Sequence, residues 1–232
     1  MAGVTLALVA CGYDEPPRSP APSSSGSHAS QTYTPSVSEV NRELGNRWPL
    51  SDSGAADRVD DQKSAMFADA GIATGLTNDQ ILEVTRTADI GEIQQAHMAH
   101  ERSKDPRVQK LAAMMMRDEV DAETKGDALA NKADLNPDKS SVSESLEDDA
   151  KRAMSALKGE SGLEFDKDYV DIQVRAHQVV LDMLNDNLIP RSTSPALSAY
   201  LHDVKASVST HLQHAQELRE ELAGSERSSS AK

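Results

Sequence analysis

Four long segments, each with apolar residues spaced three and four apart and bounded by helix start and stop signals, constrain this chain more than any other feature. The first opens at Thr77, with Gln80 three residues on as its capping-box partner, and is expected to run to about Arg102. Asp105-Pro106 then supplies an N-cap and a first-turn proline for a second helix, reaching about Ala133 ahead of Asn136-Pro137. A third is expected from about Leu163 to Leu188, stopping before Pro190, and a fourth from Ser194-Pro195 to Ala223-Gly224. Between the second and third, a shorter helix is expected from Ser143 to Leu157, ending at Gly159.

Loop lengths set the topology. The first two helices have ~3 residues between them and the last two ~5, so each pair should form an antiparallel hairpin. About 30 residues separate the hairpins, enough to cross the length of a bundle. The expected fold is therefore all-α: a ferritin-like four-helix bundle of two antiparallel hairpins, with a long crossover holding the short helix. An up-down-up-down bundle with an excursion is the alternative. Composition agrees. Aromatic residues are only 3% of the chain, too few for a sandwich or barrel core. With 38 acidic against 24 basic residues the formal charge is −14, which argues against a nucleic-acid partner. A single Cys excludes an intramolecular disulfide and a Cys-rich zinc site.

That Cys stands at position 11, after a short apolar stretch. Leu8-Val9-Ala10-Cys11 fits a bacterial lipobox, with small residues beside the cleavage point and the Cys as lipid acceptor, although no Lys or Arg precedes it. The segment that follows carries Pro16, Pro17, Pro20, Pro22 and Pro35 around Ser23-Ser24-Ser25-Gly26-Ser27, a composition unable to bury a core. The expected organisation is a signal and lipobox over 1–11, a disordered tether over 12–75, the bundle over 76–224 and a disordered tail over 225–232. Membrane attachment through lipidated Cys11 would place the protein in the cell envelope, on the periplasmic side of the inner or outer membrane.

Projecting each helix at ~100° per residue locates its apolar face. One ligand-capable residue falls within each face: Glu92 among Ile81, Leu82, Ala88, Ala96 and Ala99; Glu119 among Val108, Leu111, Ala112, Met115, Ala122 and Leu129. His177 falls among Val170, Val174, Val180, Leu181, Leu184 and Leu188, and His211 among Leu197, Leu201, Val204, Val208, Ala215 and Leu222. Asp118, Asp171, His97 and His214 project to the edges. With a rise of ~1.5 Å per residue, Glu92 and Glu119 sit ~19 and ~22 Å from the first hairpin turn, and His177 and His211 ~22 and ~29 Å from the second. Two explanations fit four convergent polar residues. They could bind one iron, manganese or zinc ion, or pair as a polar network that sets helix register. The Glu-x-x-His pairs of di-iron bundles are missing, which disfavours a dinuclear centre. Met114-Met115-Met116 cannot converge on one copper ion, because consecutive helix residues face different ways; they read as core filler with one partly exposed neighbour. Gly91 reads as a site of close helix packing. No Ser-His-Asp set, phosphate loop or Cys nucleophile is visible, and no catalytic residue is assigned.

The chain resembles the domain-of-unknown-function 4142 family in Gly91-Glu92-Ile93 with Ala99, Met116-x-Asp118, Phe165-Asp166-x-x-Tyr169, Gln173-x-x-x-His177-Gln178 and His211-Leu212. The likeness covers about residues 76 to 222, and this chain has Glu119 where the family pattern has His. The resemblance implies a ferritin-like fold and an envelope address, without an established activity. Two functions follow: a lipid-anchored envelope module for binding, structure or stress, or a metal-binding protein or metal-dependent oxidoreductase using the four core residues.

Overall fold

The computed structural model describes residues 75–230, so the lipobox, Cys11 and nearly all of the expected tether lie outside the described residues. The described residues are all-helical. Helix α1 spans Asn78–Arg102, capped by the reciprocal Thr77/Gln80 box. Helix α2 spans Pro106–Ala133, with Asp105 accepting from the Arg107 backbone N–H, and ends on Asp134 in the left-handed region at φ 53°. Helix α3 spans Ser141–Gly159. It starts two residues earlier than expected because Ser140 and Ser143 form a capping box of their own.

Helix α4 spans Gly162–Met183 and does not stop before Pro190. It widens into a π segment over Leu184–Leu188 and continues through Ile189–Arg191. The widened turn bonds the Ile189 N–H to the Leu184 carbonyl, and it shifts the carbonyls that a proline ring would meet in a regular helix. Helix α5 spans Pro195–Ser230, running through the expected stop at Gly224. A lone glycine costs a helix only ~1 kcal/mol, and the Ser225 hydroxyl bonds the Glu221 carbonyl at 2.9 Å across that point.

Contacts at the two ends give the helix directions. At one end Asn78 bonds Thr193 both ways, and Asp79 accepts from the Asn136 backbone. This gathers the start of α1, the end of α2 and the α4–α5 turn. At the other end Arg102 donates to the Leu157 and Glu160 carbonyls and lies 4.8 Å over the Phe165 ring, while Arg107 reaches Glu221. Hence α1, α3 and α5 run one way, and α2 and α4 the other. Helix α3 lies along α1, on the side away from α2, and returns the chain to the far end.

That placement explains why α1 is buried on more than one face: Thr87, Ile90, Gln94 and Ile93 are all covered. It also places Gly91 where a Cβ would come within 2.8 Å of the Ala150 Cβ, the close packing expected of that glycine. Beside a small patch of Ile90 and Ile93, the core holds two large apolar clusters. One holds Met115, Met116, Phe165, Tyr169, Ile172 and Leu222; the other holds Ile81, Leu82, Val180, Leu184, Leu197 and Leu201. Met114 is only partly buried, as expected for the Met run. Ala88, Leu129 and Leu181, expected in the core, are also only partly buried at its border. Between the clusters lies a polar layer.

Candidate metal centre

The layer contains all four residues singled out from the apolar faces. Glu92 of α1, Glu119 of α2, His177 of α4 and His211 of α5 are each at most 5% exposed. His177 Nε2 lies 3.3 Å from Glu92 Oε2 and 3.4 Å from His211 Nδ1, and His211 Nδ1 lies 3.0 Å from Glu119 Oε1. One ligand atom each from Glu119, His177 and His211 falls within 4.8 Å of the others. The two imidazoles meet edge to face, 5.4 Å between centroids. Two of the edge residues stay apart from the layer: His97 pairs with Glu101, and the half-exposed His214 pairs with Glu217.

The outer nitrogens of both histidines are already engaged. His177 Nδ1 lies 3.0 Å from the Gln173 backbone carbonyl, which can only accept, so Nδ1 carries hydrogen. In the neutral ring the lone pair is then on Nε2, facing the cluster. His211 Nε2 lies 3.1 Å from Asp118 Oδ2, a carboxylate oxygen that likewise accepts, which turns Nδ1 inward. Metal-binding histidines are held in this way, the outer N–H on a carbonyl or carboxylate and the inner nitrogen aimed at the ion. Glu119 Oε1, buried, faces the inner nitrogen of His211 at 3.0 Å.

Electrostatics sort the protons. Burial drives the His177 pKa down to about 4, only partly offset by the charge of Glu119, so the ring is neutral near pH 7. Burial also drives Asp89 and Glu92 well above the usual carboxylate range, and the neighbouring Glu119 charge adds to it. Burial pushes Glu119 up as well, yet His211 outweighs it and holds this carboxylate below its ordinary value. His211 is opposed by burial but is raised overall by Glu119 and Asp118. Several carboxyls cannot all ionise in one buried layer. Ionisation favours Glu119, beside the imidazole cation, while burial and the Glu119 charge favour the protonated forms of Asp89 and Glu92.

Sequence projection missed part of this layer. Asp89, 3% exposed, lies one turn before Glu92 on the same helix side, a three-residue spacing that could have revealed it. Gln173, one turn before His177, donates from its side chain to Gln95 at 3.0 Å and so ties α4 to α1. Farther along, buried Arg86 bridges Glu123 and Asp127. Asp118, expected at an edge, does sit at one, yet its oxygen reaches the core through His211.

Comparison with curated proteins and with solved structures returned no significant match. Among protein families, residues 62–218 match the model described as a domain of unknown function, DUF4142. That match covers well over half of the chain and contains every residue of the polar layer, and on it this chain belongs to the DUF4142 family.

Proposed function

We propose that this protein binds one divalent transition-metal ion between Glu92, Glu119, His177 and His211. The carrying observation is that both histidines have their outer nitrogens occupied and their inner nitrogens turned into a buried layer with carboxylate oxygens 3.0–3.3 Å away. Two imidazoles and two carboxylates suit iron, manganese or zinc. Four protein donors close a tetrahedral shell, the pattern of binding and structural sites; catalytic sites keep a position open. The proposed role is therefore binding, with no reaction assigned.

The proposal extends to context. The helix directions, with α3 carrying the chain back between two antiparallel hairpins, support a ferritin-like bundle. Leu8-Val9-Ala10-Cys11 and the Pro/Ser-rich stretch after it support a lipid-anchored domain in the cell envelope. A second reading has its own support: the opposed pKa shifts of Glu119 and His211 describe an ion pair able to fix helix register without a metal. Elemental analysis of chelator-free protein separates the two. About one equivalent of metal is expected in wild type and none in Glu119→Gln/His211→Gln. Chelation should lower the melting temperature of wild type alone, because the ion stabilises only the state that holds it. Metal-free wild type that neither gains metal nor changes its melting temperature on adding zinc, iron or manganese would leave only the register network.

A further inference from the structure

The proposed ligands are all buried, so an ion must reach them through the bundle wall. Two polar seams lead from this layer to the surface. One runs from Glu123 to Arg86 to Asp127. Its middle member is a guanidinium whose side chain is 4% exposed, pinned between two carboxylates. A fixed buried cation closes that seam to a metal ion. The other runs from His211 to Asp118 on the α2–α5 side. Asp118 has a side chain 31% exposed, against 1% for His211, so one of its ends meets water and the other meets the site. Its Oδ2 lies 3.1 Å from His211 Nε2, and its Oδ1 takes the Arg117 guanidinium at 2.8 Å. Arg117 is itself 53% exposed and free to swing into solvent, where Arg86 is not. Ser207 adds a hydroxyl 3.5 Å from the same His211 nitrogen.

We propose that Asp118 is the entry carboxylate of the site. It captures a hydrated divalent cation at the α2–α5 seam and passes it inward past His211, and Arg117 competes with the cation for the same oxygen. This rests on the metal-binding reading. A carboxylate at the mouth of a low-dielectric passage raises the local cation concentration and hence the association rate. Among the described residues, the other carboxylates of this layer are closed to solvent: Asp89 and Glu123 are each 3% exposed.

The test is stopped-flow loading of metal-free full-length protein with cobalt(II), whose visible bands report coordination, at low ionic strength. Asp118→Asn keeps the hydrogen-bond acceptor for His211 but removes the charge. The association rate should fall about tenfold, by more than the dissociation rate rises. Arg117→Gln should load faster than wild type, and raising the salt should narrow the differences. A loss carried by the dissociation rate, with association unchanged, would make Asp118 only an orienting partner of His211 and overturn the entry role. So would equal association rates in Asp118→Asn and wild type. Wild type that never develops the bands would instead remove the metal-binding reading itself.

Discussion

Replacing His211 by Leu gives the sharpest test of the charge arrangement. Glu119, 3% exposed, is then left without the cation that holds it ionised. Its least costly escape is to take a proton. At pH 7, protonating a carboxyl with an ordinary pKa of 4.5 costs 1.36 kcal/mol for each of 2.5 units, or about 3.4 kcal/mol. This agrees with the ~3–5 kcal/mol that follows removal of one partner from a buried ion pair. For a domain of this size the loss corresponds to roughly 10 °C in melting temperature. The penalty has a pH signature. In the variant the folded-state pKa of Glu119 is raised, so the penalty is absent below 4.5 and grows as pH rises. At pH 5 it should shrink to about 0.7 kcal/mol. Urea unfolding of chelated protein at both pH values measures it. Glu119→Gln/His211→Leu removes the charge as well and should recover at least ~2 kcal/mol of the loss at pH 7. A single variant that loses less than ~1 kcal/mol at pH 7, or a pH-independent loss, would refute the assignment of the charge to Glu119.

Three further outcomes are expected. His177 titrates near 4 when folded and near 6.5 when unfolded, so the stability it supports is lost as pH falls from 6.5 to 4, by up to about 3 kcal/mol; the acid limb of urea stability should flatten by this amount in His177→Gln. Gly91→Val should force α1 and α3 apart, since even its Cβ would sit 2.8 Å from the Ala150 Cβ; a loss of ~1–3 kcal/mol, with faster amide exchange over Ser141–Gly159, is expected. Fatty-acid labelling in a bacterial host should mark the wild-type chain and disappear in Cys11→Ala, and label surviving in that variant would remove the lipobox reading.

The helices were legible because their ends are written in short-range chemistry. The Thr77/Gln80 box and Asp105-Pro106 act within one turn and need no tertiary context. The two stops that failed are those where local hydrogen bonding accommodates a single breaker residue. Pro190 is absorbed by a π turn, and Gly224 is bridged by the Ser225 hydroxyl. The four core polar residues were legible because each interrupts an apolar stripe. Their heights roughly agree from the sequence, at ~22 and ~29 Å for His177 and His211, and agree more closely when the turn is not counted as helical rise. Residues 192–194 cross between the helices, so the distances measured from Arg191 and Pro195 become ~21 and ~24 Å. Asp89 was not legible by the same rule. On α1 a second face is buried by α3, and a helix covered on two sides has no single stripe for a polar residue to interrupt.

What the layer leaves unpaired bears on its two explanations. A register device needs complementary partners, and a buried network that is only partly satisfied is worse for stability than an apolar core. Here Asp89 Oδ2 and Gln173 Oε1 are buried without hydrogen-bond partners. Two carboxyls must also be held neutral against their ordinary pKa values. Stability alone would have replaced such a layer; a ligand that draws on its carboxylates and imidazoles gives a reason to keep it. The variant Asp89→Leu, Glu92→Met, Glu119→Met, His177→Leu and His211→Leu joins the two apolar clusters. It should unfold at higher urea than chelated wild type, by ~1–4 kcal/mol, and it should not respond to added metal. If it is less stable than chelated wild type, the polar layer itself stabilises the fold, and the case for a metal loses its energetic ground.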